Sequence, residues 1–386
     1  MKRFWFVLRG AGSSLWRVGG TALLLTLILS GCGGGARYES WPGMTLVEDT
    51  LYVAMVGQIQ AFDAQSGDVF WSFPQEPKSE IGFYAAPAVD EERGMLVAAG
   101  FKDHTVHAWR LSATPGVAPT ELWTFPGEGT SNGASGQYVS AGVIADGLFV
   151  IGNGDGAVYA LHVEDGTLAW SVKTGDRVWA RPLVAEGTVY VTSMDHHLYA
   201  LDLEDGRERW RLEMRGALAS SPVMVDGRLW VGDFGDQIYQ IDPQSGEILW
   251  TFEGGEDWFW ATPTVGEDKI FFSDVRGNVY AFEIATRKLL WRQNVGDVVR
   301  GQGVLNADGS VLLVPGHEHG QIHALDTTDG AVVPWGIVAE RPGRLPGDLI
   351  ASDMHVYAAP IMISTRVKAF DIEDGQLLWA YPPPEE

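Results

Sequence analysis

The sequence predicts an all-β fold: an eight-bladed β-propeller of four-stranded antiparallel blades. Three observations predict it. Eight of the 16 tryptophans (Trp71, Trp123, Trp170, Trp210, Trp250, Trp291, Trp335 and Trp379) recur in one apolar setting, such as Val69-Phe-Trp71-Ser-Phe or Leu377-Leu-Trp379-Ala-Tyr. Their spacings run from 40 to 52 residues, the length of a propeller blade. Shortly before most of them sits an acidic turn, such as Asp63-Ala-Gln-Ser-Gly67, Asp202-Leu-Glu-Asp-Gly206 or Asp371-Ile-Glu-Asp-Gly375. Finally, no segment beyond the N-terminal apolar run holds the 3.6-residue period of a helix.

The N-terminus reads as an address. Residues 1–31 carry Lys2, Arg3, Arg9 and Arg17, no acidic residue, and the apolar run Thr21–Leu29. That run is short for a membrane span and fits an export signal. It ends in Leu29-Ser30-Gly31-Cys32, which resembles the bacterial lipoprotein signal, where cleavage precedes the cysteine and the thiol takes lipid. Cys32 is therefore the expected lipidation site, and 32–40 (with Gly33-Gly34-Gly35) a flexible tether. Residues 41–386 are expected to form a single propeller domain.

Each unit opens near a proline (Pro87, Pro182, Pro222, Pro263) and continues as short runs rich in Val, Tyr, Ile and Phe, such as Thr188-Val-Tyr-Val191 and Leu198-Tyr-Ala-Leu201. The glycine closing each acidic turn supplies positive φ, and the aspartate can bond backbone amides within it. The repeated Trp is expected to fill the gap to a neighbouring blade. Three units depart from the pattern. The second carries an insertion at 111–120, and the sixth replaces the acidic turn by Glu283-Ile-Ala-Thr-Arg287. The seventh has Pro334 before Trp335, which predicts a weakened outer strand, and a Pro/Arg/Gly-rich loop follows at 338–348.

Composition narrows function. Against 27 Lys+Arg stand 50 Asp+Glu, a formal net charge of −23, and removing the signal deepens it. Nucleic acid is excluded as a partner, because phosphate binding needs a basic surface. A single cysteine excludes an intramolecular disulfide framework. His196-His197 and His317-Glu-His319 with His323 raise the idea of a metal, but zinc needs three or four backed ligands, and no metal is expected. Asn153-Gly-Asp155-Gly156 lacks the full set of calcium ligands. No Gly-rich loop precedes a helix, so nucleotide binding has no support.

Aligning units on the opening proline places Tyr84, Trp179, Trp260 and Arg300 at equivalent positions. In a propeller such positions form a ring on one face. Exposed aromatics with arginine are characteristic of interaction surfaces. The alternative is that they fold back over the blade edges. Trp258 and Trp260 together make the strongest single anchor.

The pattern Tyr199-Ala-Leu-Asp202…Gly206…Trp210, repeated along the chain, resembles the PQQ-type repeat propellers. Within them, an eight-bladed lipoprotein of this length is similar to the BamB family, scaffolds of outer-membrane β-barrel assembly. That resemblance implies no enzyme activity and no cofactor. It implies a monomeric propeller held by its lipid at the outer membrane, facing the periplasm, or at the outer face of the cell membrane where no outer membrane exists. The implied partner is the barrel-forming subunit. The family's contact loop, apolar-x-apolar-Arg-Gly before a Pro-Val strand start, is matched by Leu212-Glu-Met214-Arg215-Gly216 before Pro222-Val223. The family's companion loop carries two aspartates, whereas this chain has Trp258-Phe-Trp260 after Glu256-Asp257. The alternatives are a cell-surface or periplasmic lipoprotein binding another ligand on the aromatic face, and a quinone-dependent dehydrogenase. The dehydrogenases commonly carry a vicinal cysteine pair, which this chain cannot form.

Overall fold

A computed structural model describes residues 42–55, 57–114, 116–126, 134–335, 344–361 and 366–383. The expected signal, Cys32, the tether and residues 338–343 of the Pro/Arg/Gly-rich loop lie outside these described residues.

The described chain forms eight antiparallel sheets in sequence order. Blade 1 comprises β1 (Gly43–Val47), β2 (Thr50–Met55), β3 (Gln58–Asp63) and β4 (Val69–Phe73). Blades 2 to 6 follow as β5–β8 (88–125), β9–β12 (143–173), β13–β16 (183–213), β17–β20 (223–252) and β21–β24 (264–294). Blade 7 is β25–β27 (304–326), and blade 8 is β28–β31 (350–381). The two middle strands of a blade are nearly wholly buried because both sheet faces meet a neighbouring blade, so they read as continuous apolar runs. Thr188–Thr192 and Leu148–Gly152 are buried at every position. The outer strands alternate instead, as in Glu208–Glu213.

Among the described residues, seven sheets have four strands and blade 7 has three. In blades 1, 3, 4, 6 and 8 the Trp pairs with an Ala of the third strand ten residues earlier, as in Ala200↔Trp210 and Ala369↔Trp379. The same count from Ala324 lands on Pro334, which has no N–H to give. The fourth strand is reduced to the bridge Leu325↔Val332 and one bond, Val333 N–H to Ala324 O at 3.0 Å. The weakening expected at Pro334 is what the structure shows.

The recurring Trp docks on the next blade. Six indoles donate Nε1–H to the carbonyl of the residue after the turn's first position: Trp123 to Val163, Trp170 to Leu203, Trp210 to Pro243, Trp291 to Thr327, Trp335 to Ile372 and Trp379 to Ala64, at 2.8–3.1 Å. At five of these junctions, all but that of Trp335, the turn's glycine lies against the same ring. A Cβ added at Gly206 would stand 2.7 Å from Trp170, and one at Gly67 2.5 Å from Trp379. Glycine is thus required twice over, since φ is +73° at Gly206 and +76° at Gly67. The turn itself is held by its aspartate: Asp63 Oδ1 accepts the N–H groups of Gln65 and Ser66 at 2.9 and 2.8 Å.

The irregular units test this rule. In blade 6, Arg287 takes the glycine's place at φ +60° and keeps the turn bond to Glu283 O at 2.8 Å. In blade 2 the insertion opens the turn, and a cavity of about 280 Å³ lies between Trp71 and Leu111, Ser112 and Thr114. The ring closes by the same docking. Trp379 of blade 8 meets Ala64 of blade 1, Tyr357 Oη donates to Ala64 O at 3.0 Å, and one core cluster joins Met44, Leu51 and Phe62 to Tyr357 and Val367. Among the described residues no strand is exchanged between the first and last blades.

Gly187 offers a control for the docked glycines, because its φ is +66° but nothing lies within 4 Å of an added Cβ. Gly187→Ala is expected to cost about 1 kcal/mol through backbone strain alone. Gly206→Ala is expected to cost roughly 1–3 kcal/mol more, from collision with Trp170. Urea unfolding midpoints of the two variants check the difference.

Candidate functional site

The residues leading into the first strand of blades 2 to 8 follow one rule. Five positions before the strand stands a buried anchor: Phe83, Tyr138, Val178, Leu218, Phe259, Val299 and Leu345. One residue later the side chain reaches the axis. Tyr84, Val139, Trp179, Ala219, Trp260, Arg300 and Pro346 line the mouth of an axial cavity of about 690 Å³. Two residues further on, Ala86, Ala141, Arg181, Ser221, Thr262, Gln302 and Asp348 line it more deeply. Between the two tiers the residue is small (Ala, Ser or Gly), as the close approach of neighbouring blades requires. The four aligned residues expected to form a ring do therefore surround one opening.

The mouth is occupied by a stack of rings. Ala219 of blade 5 lies between Trp179 of blade 4 and Trp260 of blade 6, and over it the two indoles meet with centroids 6.4 Å apart. Phe234, on the loop between β18 (Arg228–Gly232) and β19 (Ile238–Ile241), stacks on Trp260 at 5.3 Å and on Trp258 at 4.8 Å and 11°. Guanidinium groups flank the stack: Arg177 over Trp179 and Arg300 over Trp260, each 5.4 Å from the ring centroid. Arg300 Nε is buried with no hydrogen-bond partner among the described residues. Trp258 ends the stack at 47% exposure. Tyr84 stands apart, stacked on Phe101 at 4.0 Å. The rings thus cover one another across the mouth and leave Trp258 as the open end.

The contact segment from the sequence divides. Met214 is 5% exposed and packs with Leu218 and Tyr239, and Leu212 lies against the same cluster. Alternation along β16 (Glu208–Glu213) turns these apolar side chains inward, so Met214 is core and not contact surface. Arg215 is exposed, and it forms no ion pair among the described residues. Its Cγ would lie 2.8 Å from a Cβ at Gly235, so it rests on the loop that carries Phe234. Phe234 N–H donates to Ala217 O at 2.9 Å, which locks the two loops together. The histidines do not all gather around one point, although His319 and His323 both approach Asp297 Oδ2. His196 has φ +72° in a turn, and His319 and His323 border the buried Asp297. No group of three metal-ligating side chains occurs among the described residues.

Buried carboxylates fix these loops. Asp233 accepts N–H bonds from Gly216, Gly235 and Gln237 and the hydroxyl of Tyr239, and so ties the Arg215 loop to the Phe234 loop. Asp195 repeats the arrangement in blade 4 with Gly175 N, His197 N and Tyr199 Oη. Burial pushes the Asp195 carboxyl up, but these donors outweigh it and hold it below the usual range. Asp155 in blade 3 behaves the same way.

Comparison with known proteins places this geometry. The family model described as outer membrane protein assembly factor BamB matches residues 7–141, 109–251, 208–334 and 275–386, nearly the whole chain. The outer membrane protein assembly factor BamB of Shewanella oneidensis is 28% identical over 130 residues, a match covering 31% of this chain and 32% of that relative's length. The crystal structure of BamB from Moraxella catarrhalis superposes with a TM-score of 0.66 at 18% identity, covering 82% of this chain and 90% of that one. A computationally designed protein, Ika8, superposes with a TM-score of 0.70 at 15% identity, covering 87% and 98%. At such identities the two structures speak for the fold alone.

A carboxyl held below its unfolded pKa stabilises the fold at pH above that unfolded value, about 3.9, and loses the contribution as pH falls through its folded pKa. Asp195→Asn is therefore expected to destabilise the propeller at pH 7 by roughly 1–3 kcal/mol. It is also expected to flatten the loss of stability below about pH 4. Urea midpoints measured from pH 7 down to pH 3 check both effects.

Proposed function

The chain belongs to the family of outer membrane protein assembly factor BamB, and on that premise we propose that it is a lipid-anchored scaffold in outer-membrane β-barrel assembly. The family match along residues 7–386 is the observation that carries this reading. The export-type N-terminus and Cys32 support a lipoprotein held at the outer membrane and facing the periplasm. The acidic surface would be repelled by anionic headgroups, so attachment would rest on the lipid.

The partner proposed is the barrel-forming subunit, and the contact proposed is Arg215 with the neighbouring aromatic end of the stack. Arg215 is exposed on a loop that Asp233 fixes, and Trp258 is exposed on a loop stacked against the same Phe234. An arginine beside a projecting indole on fixed loops suits a compact contact centre. Leu212 and Met214 would act from within, by holding the Arg215 loop on the core. This reading makes the protein a binding module and not an enzyme. The runner-up, a lipoprotein binding another ligand on the aromatic face, draws on the same Trp258 and Trp260.

The test is purification of the C-terminally tagged lipoprotein from native membranes in mild detergent. A large outer-membrane barrel subunit is expected to accompany it, and Arg215→Glu is expected to reduce that subunit at least about tenfold. Far-UV circular dichroism should show the variant folded. Absence of any barrel subunit with the unmutated protein would overturn the assembly reading. Undiminished recovery with Arg215→Glu would overturn the contact.

A further inference from the structure

The deeper tier of the axial cavity is polar on one side only. Blades 4 to 8 contribute Arg181, Ser221, Thr262, Gln302 and Asp348, whereas blades 2 and 3 contribute Ala86 and Ala141. Arg181 and Asp348 stand on blades 4 and 8, half a ring apart, so they face each other across the axis. They form no ion pair within 4.0 Å, and Arg181 has no hydrogen-bond partner among the described residues. One oxygen of Asp348 accepts Gln302 N–H at 2.7 Å, and the other has no partner among the described residues.

We propose that the axial cavity binds a zwitterionic α-amino acid, its carboxylate on Arg181 and its ammonium on Asp348. Two opposite charges that line one cavity without pairing suit a ligand carrying both signs. A simple anion would meet the field of Asp348, and a simple cation that of Arg181. Water reaches both groups from the cavity, yet the walls crowd around them. Crowding pushes the Asp348 carboxyl up against the pull of Gln302 N–H and Arg181, and pushes the Arg181 guanidinium down against the pull of Asp348. Both side chains are exposed, so a ligand of opposite sign can reach each of them from the cavity. Ser221 and Thr262, on the arc between them, offer hydroxyls to the same ligand. The cavity of about 690 Å³ has room for the side chain below Trp179 and Trp260. This inference is independent of the scaffold reading.

The test uses the full-length protein in detergent. The twenty common L-amino acids are screened by thermal shift, and binders are titrated by calorimetry beside their N-acetyl and carboxamide derivatives. At least one free amino acid is expected to bind, and each blocked derivative at least about tenfold more weakly. Arg181→Gln and Asp348→Asn are each expected to weaken binding by a similar factor, while unchanged urea midpoints show them folded. The proposal is overturned if no amino acid of the panel binds. It is equally overturned if a blocked derivative binds as tightly as the free form, or if both folded variants bind like the parent.

Discussion

The indole of one blade seated on the glycine turn of the next is the contact on which the rest of the structure depends. A four-stranded sheet of this size cannot bury its two faces alone. The docking solves this at six of the eight junctions with one plug and one socket. An indole N–H bond contributes about 1 kcal/mol, and the buried ring contributes more through its area. The socket demands glycine because the indole lies where a Cβ would be, as Gly206 against Trp170 shows. The Asp-x-x-x-Gly and Trp of a single repeat therefore serve two junctions: the turn receives the preceding blade, and the tryptophan enters the following one.

That relay sets the face where partners would bind. With each blade fixed to its neighbours, the lead-in segments converge on the axis in register, a buried anchor alternating with a residue at the cavity. Aromatic residues at this register on blades 4 and 6, with Ala219 between them, can then meet over the opening. The loops outside are held by Asp233 and Asp195, whose N–H and hydroxyl donors leave little freedom in the backbone. Arg215 and Trp258 thus project from fixed supports, which lowers the ordering cost of binding.

Much of this was legible in the sequence, and the limits are physical. Strands and blades could be read because the Trp, Gly and Asp of the docking recur in most units, each filling a chemically demanding position. Arg287 shows that the rule bends where backbone geometry alone is kept. Pro334 gave away the reduced seventh blade because its missing N–H is a local property. The ring of Tyr84, Trp179, Trp260 and Arg300 followed from register alone. Met214 was misplaced because a family-like motif names residues without saying which side of a strand they face. Phe234 escaped because its stacking partners are 24 and 26 residues away, and nothing local marks it apart from the tight Gly232–Gly235 setting. Ring closure was not readable either, since the first and last units have the same phase, and only contact between Trp379 and Ala64 reveals how they join.

The most direct test of the docking account is urea unfolding of Trp379→Ala, followed by far-UV circular dichroism. Loss of the closing indole is expected to lower the midpoint of the whole propeller in a single transition, with the slope unchanged. An unchanged midpoint, or a separate early transition confined to one blade's worth of signal, would contradict the claim that this contact closes the ring.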